Sequence, residues 1–210
     1  VENERASIMR MARDERVELA ALLEGLTPEQ WDSPSLCEKW RVRDVVAHAI
    51  GFDPLTRTQL LKRMAKGLVT RGGANAVGVA EYADVPPGEL LALVRRFAEP
   101  QGITAGFGGK IALTDGMIHQ QDIRRPLGIP RTIDPDRLRV ALQFSLYAPR
   151  LLGARQVRGL RLVATDMGWS HGKGPEVRGS GEALLMAMAG RRDAVKDLDG
   201  PGKDMLARRL

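Results

Sequence analysis

The sequence predicts an α+β protein that is mainly helical, a helical bundle followed by a small mixed unit. Three observations carry that expectation. Before Gly153 the apolar side chains recur at three- and four-residue steps; after it they alternate with period two between glycine-rich turns. With 210 residues, 43% hydrophobic and 28% charged, the chain is long enough for an ordinary domain and a small one, and apolar enough to bury a core. The pattern places the bundle at 1–153 and the α+β unit at 154–210.

Residues 3–25 set Ile8, Met11, Ala12, Leu19, Leu22 and Leu23 among charges and end at Gly25, a long first helix followed by the turn Thr27-Pro28. SPSLCEKWRVRDVVAHAIGFDP reads as a second helix that stops at Gly51 and Pro54 and resumes from Leu55 to Leu68. RGGANAVGVAEYADVPPG reads as a long loop. Helical periodicity returns in ELLALVRRFAEP, GGKIALTDGMIHQQDIRRPLG and DPDRLRVALQFSLYAPRLL, the last with Asp134 as N-cap and Pro135 in the first turn. VRGLRLVATD and GWSHGKGPEVRG read as antiparallel strands, GEALLMAMAGR as a short helix ending at Gly190, and PGKDMLARRL as a terminal helix.

Composition narrows the function classes. The one cysteine, Cys37, excludes an intramolecular disulfide framework and a Cys-rich zinc finger, and points to a reducing cytoplasm. No apolar run approaches the roughly 20 residues of a membrane span, and VENERASIMRMARDER is charged where a signal peptide is apolar, so neither a membrane nor a secreted protein is expected. The first residue is Val, which reads as a processed or trimmed start. The net charge of +6 invites nucleic acid, but basic and acidic residues interleave and no basic run carries aromatics for base stacking. An anionic small molecule answers the same excess.

The chemistry-bearing residues are few. Of three histidines, His48 lies in an apolar helical segment four residues after Asp44, which can satisfy it as a core histidine. In TDGMIHQQDIRR, Asp115, His119 and Asp122 follow at four and three residues, sharing one helix face within an arc of about 60°. The pattern suits an exposed polar face. It also suits a metal, because bundles build metal sites from inward-facing ligands on facing helices, and two His plus one carboxylate leave a coordination position open. In that case Asp44 and Asp122 hold the imidazole tautomers from behind, although Asp122 can replace Asp115 as the ligand. Cys37 has no neighbouring His in the sequence, and His171 among turn glycines reads as a surface residue. AGFGGKI is not a phosphate loop, lacking Gly at Thr104 and Ser or Thr at Ile111. Arg71, Arg124, Arg125, Arg178, Arg191 and Arg192 flank turns where a carboxylate could be gripped bidentately.

Three separated blocks, LTPEQWDSPSLCEKWRVRDVVAHAIG, DGMIHQQDIRRPLG and GLRLVATDMGWSHGKGPEVRGSGEALLMAMAGR, resemble the mycothiol-dependent maleylpyruvate isomerase family. The resemblance implies a DinB-like four-helix bundle with a small C-terminal domain, and a divalent metal, usually zinc, held by the His of W-x-V-x-D-x-x-x-H and by a Glu-x-x-x-His pair. Those positions are His48, Asp115 and His119, with Asp in place of the pattern's Glu. It further implies mycothiol as thiol cofactor and a small electrophilic substrate, undergoing S-transfer or isomerisation, with the C-terminal domain covering the bundle mouth. The alternative class is a non-catalytic metal- or thiol-binding module, acting as a sensor or on nucleic acid.

Overall fold

The structure, a computed structural model, describes residues 2–148 and 153–210. Its contacts separate two compact units, Val1–Pro130 and Arg131–Leu210. No helix among the described residues is long and apolar enough to cross a membrane. The architecture is α+β and mainly helical, as the periodicities predict.

The first unit contains α1 (Glu2–Glu24), α2 (Pro28–Trp31), α3 (Val42–Ile50), α4 (Arg57–Val69), α5 (Gly73–Glu81), α6 (Pro87–Arg96) and α7 (Lys110–Leu127). Four of them close a ring, because α1 packs on α6 and α7, and α3 packs on the same two helices. That ring is the four-helix bundle. Its interior holds Leu23, Val46, Ile50, Leu90, Val94 and Ile123, one stripe from each helix. On α1, Ile8, Ala12, Leu19 and Leu23 are buried at steps that keep one face inward.

Two buried polar links fasten this frame. Arg16 on α1 donates to both oxygens of Asp53, at 2.8 and 2.9 Å, and to the carbonyl of Phe97 at 2.6 Å. The Thr104 hydroxyl and the Gln101 N–H also donate to Asp53, at 2.8 and 2.9 Å, so the carboxylate just beyond α3 ties α1 to the chain leading into α7. Nearby, the Gln120 amide of α7 donates to Glu15 of α1, at 2.7 Å to the carboxylate and 2.8 Å to the carbonyl. Sequence periodicity shows none of these, since a buried charge inside an amphipathic helix reads as one more solvated residue.

The second unit holds α8 (Pro135–Ser145), α9 (Gly153–Gln156), β1 (Arg161–Ala164), β2 (Ser170–Gly172), β3 (Glu176–Gly179), α10 (Gly181–Met188), β4 (Leu198–Asp199) and α11 (Lys203–Ala207). Helix α8 starts as expected, with Asp134 accepting the N–H groups of Asp136 and Arg137, and it packs on α10 of this same unit. The part of its expected span at Pro149–Leu152 lies outside the described residues. The sheet has the order β2-β1-β3-β4. Nearly all of α10 is buried, which makes it the core of the unit.

Three expectations need correction. The segment read as a long loop contains α5, packed closely on α4: a Cβ on Gly78 of α5 would sit 3.1 Å from the Arg63 guanidinium, and one on Gly67 of α4 would sit 2.5 Å from the backbone N of Ala74. The strands are not all antiparallel, because β1 pairs antiparallel with β2 but parallel with β3. The chain passes from one side of β1 to the other through Gly172 and Gly174, whose φ angles of 85° and 127° only glycine adopts without strain. Thr27-Pro28 is a helix start, in which the Thr27 hydroxyl accepts the Gln30 N–H and the Gln30 side chain accepts the Thr27 N–H.

Removing one partner of the Arg16–Asp53 pair leaves a charge buried without compensation. Asp53→Ala is therefore expected to destabilise the protein by about 3–5 kcal/mol in urea denaturation. A loss under about 1 kcal/mol, typical of an exposed pair, would show that the pair does not hold the frame.

Candidate metal centre

The loop before α3 and the first turn of that helix explain the spacing of the Trp-to-His block. Asp44, at the third helical position, accepts the Arg41 N–H at 2.9 Å and closes the first turn. Val42, Val45 and Val46 go to the core. One turn beyond Asp44, His48 sits beside Trp40, with ring centroids 5.1 Å apart, and has Phe52 edge-on at 6.5 Å. The aromatic pair leaves the His48 imidazole little freedom of orientation.

Helix α7 faces α3 and brings its own imidazole to the same place. The rings of His48 and His119 have centroids 4.7 Å apart and lie nearly perpendicular, at 87°. Between them stands Asp115, whose Oδ1 is 3.4 Å from His119 Nε2 and 3.8 Å from His48 Nε2. One donor atom from each of the three residues falls within 4.8 Å of the other two. Ligands bound at 2.0–2.2 Å in a tetrahedron stand about 3.3–3.6 Å apart, so the two measured edges need little adjustment to hold an ion. The donor set, two imidazoles and a carboxylate, suits zinc and leaves one position open. Asp115 is the exposed member, with 38% of its side chain accessible against 10% for His48 and 8% for His119, and the cluster opens to solvent on its side.

Asp122 stands at the other end of the His119 ring. Its Oδ2 lies 2.9 Å from Nδ1, and the residue is fully buried. A carboxylate there accepts the Nδ1–H and turns Nε2 toward Asp115 and His48. Asp115 and Asp122, interchangeable by spacing, thus occupy opposite sides of one imidazole.

Charge follows the same geometry. Burial disfavours the charged form of His119, but Asp115, Asp122 and Cys37 outweigh it and raise its pKa well above the ordinary value. Burial likewise opposes ionisation of Asp115, and the facing imidazoles of His119 and His48 overcome it, holding the carboxyl well below the usual range. In the protein without a metal, then, His119 and Asp115 form an ion pair whose negative partner sits where a cation would bind.

The structure assigns different tasks to several residues singled out by sequence. Asp44 does not support His48: its carboxylate is engaged by Arg41 through the N–H at 2.9 Å and the guanidinium at 3.1 and 3.2 Å, while the buried Nδ1 of His48 has no hydrogen-bond partner among the described residues. Asp44 lies in the first turn of α3, and there it caps the helix instead. Cys37, distant in sequence from any histidine, has its Sγ 3.0 Å from Asp122 Oδ2 and 3.8 Å from His119 Nδ1. The loop carrying it docks on α7 through the Leu36 N–H, which reaches the Asp122 carbonyl at 3.0 Å, a contact across the bundle that local sequence cannot show. His171 is exposed on β2, stacked on Trp169 at 6.4 Å. Among the arginines, Arg71 and Arg192 are exposed, Arg124 binds Gln120 and the Pro130 carbonyl, Arg178 pairs with Glu176, and Arg191 bonds the Ala189 carbonyl. Arg125 is half-buried near the end of α7.

Comparison with known proteins supports the resemblance. Residues 12–101 match the family described as the mycothiol maleylpyruvate isomerase N-terminal domain, a span that includes His48 and ends before α7. The crystal structure of the mycothiol-dependent maleylpyruvate isomerase is similar over 96% of this chain and 93% of that chain, with 14% identity and a TM-score of 0.51. A mutant of that isomerase aligns over the same shares at 14% identity and a TM-score of 0.49. The first of these likenesses establishes the fold. Among curated proteins none matches the chain.

A raised imidazole pKa stabilises the fold below the unfolded value, about 6.5, and that stabilisation is lost as pH rises through the folded value. The depressed Asp115 carboxyl acts at the other end, contributing above its unfolded value of about 3.9 and losing its contribution in acid. Urea denaturation of metal-free protein should therefore show stability falling as pH rises above about 6.5. In Asp115→Asn the fall should be clearly smaller; an unchanged profile would mean that Asp115 does not hold the proton on His119.

Proposed function

With residues 12–101 matching the mycothiol maleylpyruvate isomerase N-terminal domain as the premise, we propose that this chain is a metal-dependent enzyme that uses mycothiol against a small electrophilic substrate. The observation that carries the reading is the convergence of His48 Nε2, Asp115 Oδ1 and His119 Nε2 from two facing helices. A divalent cation bound there, zinc by the donor set, supplies the positive charge that keeps a thiol ionised at neutral pH.

The residues of this chain then have separable tasks. His48 and His119 offer neutral Nε2 lone pairs, and Asp115 adds the one anionic donor. Asp122 keeps the His119 proton on Nδ1, on the side away from the ion. Trp40 and Phe52 flank His48 and shield that side of the site from water. The family pattern has Glu where this chain has Asp115, and here the shorter side chain stands at a ligand-edge distance from His119, 3.4 Å, and slightly beyond it from His48, 3.8 Å. Attack of an ionised thiol on an electrophilic carbon gives S-transfer, or reversible addition with double-bond isomerisation. The single cysteine and the thiol chemistry suit a cytoplasmic protein.

Elemental analysis of protein purified without added metal should find one divalent ion per chain in the wild type and in His171→Ala, and none in His119→Ala. Asp122→Asn should weaken metal binding by about 10–100-fold. Conjugation of an electrophile should require mycothiol, stop with chelator and return with the metal. Equal metal content in His119→Ala and His171→Ala would overturn the ligand assignment, and turnover indifferent to mycothiol would overturn the cofactor.

A further inference from the structure

The far side of His119 carries a second set of donors, in which the proposed function leaves Cys37 without a task and uses Asp122 only to hold the His119 proton. Cys37 Sγ, Asp122 Oδ2 and His119 Nδ1 stand 3.0, 2.9 and 3.8 Å from one another, from the loop before α3 and from α7. One ligand atom of each lies within 4.8 Å of the others. We propose that Cys37, Asp122 and His119 Nδ1 form a separate site for a thiophilic cation of the cadmium class.

Charge and softness both favour such an ion. A thiolate and a carboxylate match the charge of a dication, and the neutral imidazole adds a third donor. Thiolate sulfur selects soft ions over magnesium or calcium. Binding forms the sulfur–metal bond and releases the Cys37 thiol proton and the His119 Nδ1 proton to solvent, while the Nε2 proton stays and is donated to the Asp115 carboxylate. The loop is built to hold the sulfur: the Ser35 hydroxyl accepts the Cys37 N–H at 3.1 Å and donates to the Trp40 carbonyl at 2.8 Å, and the Leu36 N–H fixes the loop to the Asp122 carbonyl. Asp122 and His119 are buried, whereas Cys37 is half-exposed, giving the ion its way in.

One consequence rests on the proposed function. A neutral imidazole offers one lone pair, so an ion on Nδ1 takes Nε2 away from the centre formed with His48 and Asp115, and a soft cation displaces the resident metal.

The test is cadmium titration of metal-free protein, followed by the ultraviolet thiolate-to-cadmium charge-transfer band. A band saturating at one ion per chain is expected in the wild type and in His48→Ala, which removes the first centre alone. Cys37→Ser should lose it, and Asp122→Asn should weaken binding by about tenfold or more. Nitrogen NMR of the wild-type His119 ring should show cadmium on Nδ1 and the proton on Nε2, a reading that needs no variant to fold. Absence of the band in the wild type, full affinity in Asp122→Asn, or cadmium on Nε2 would each overturn the site. Loss of the band in His48→Ala would overturn it too, by showing that the cadmium–thiolate site requires a residue of the first centre.

Discussion

The hydrogen bond between Asp122 and His119 Nδ1 is the constraint on which the site depends. An imidazole has two nitrogens and, when neutral, one lone pair, and whichever nitrogen keeps the proton decides which side of the ring can hold an ion. At 2.9 Å from a fully buried carboxylate, Nδ1 keeps it. Nε2 is thereby turned toward Asp115 and His48, and a two-helix contact becomes a set of three donors. The same carboxylate oxygen receives Cys37, so this one side chain stands between two groups of donor atoms.

Such an arrangement needs helices that do not slide. An axial shift of one residue along α7 moves a side chain by about 1.5 Å and turns it by about 100°, enough to part His119 from His48. The bundle resists that with buried polar links placed close to the site. Gln120, next to His119, is bonded to Glu15 of α1, and Asp53, just beyond α3, is clasped by Arg16 of α1 and by Thr104 ahead of α7. Apolar packing alone tolerates small slips among similar side chains; directional bonds to buried charges do not.

Most of the architecture was legible in the sequence because it rests on periodicity and punctuation. Gly25, the Asp134-Pro135 start and Gly190 mark their helix ends directly, and the change of period after Gly153 marks the sheet. The candidate ligands were legible for a related reason, since Asp115, His119 and Asp122 share a helix face whatever the tertiary structure does. What escaped depends on contacts between distant segments. Cys37 reaches His119 across 82 residues of chain, and nothing in SLCEKW indicates that its loop docks on α7. Asp44 illustrates the opposite failure: the four-residue offset to His48 is real, but a carboxylate in the first helical turn is better used capping the backbone, and Arg41 holds it there. Helix α5 was hidden because glycines that allow close packing look, in sequence, like glycines that break helices.

The central claim is that His48, Asp115 and His119 hold a divalent ion through two imidazoles and a carboxylate. X-ray absorption at the zinc edge of the zinc-loaded protein tests it most directly, because the inner shell separates sulfur from nitrogen and oxygen and the outer shell counts imidazoles. The account predicts a shell of nitrogen and oxygen at about 2.0–2.2 Å, two imidazoles and no sulfur. A sulfur scatterer at about 2.3 Å, with a single imidazole, would instead place the zinc between Cys37 and Asp122 and contradict it.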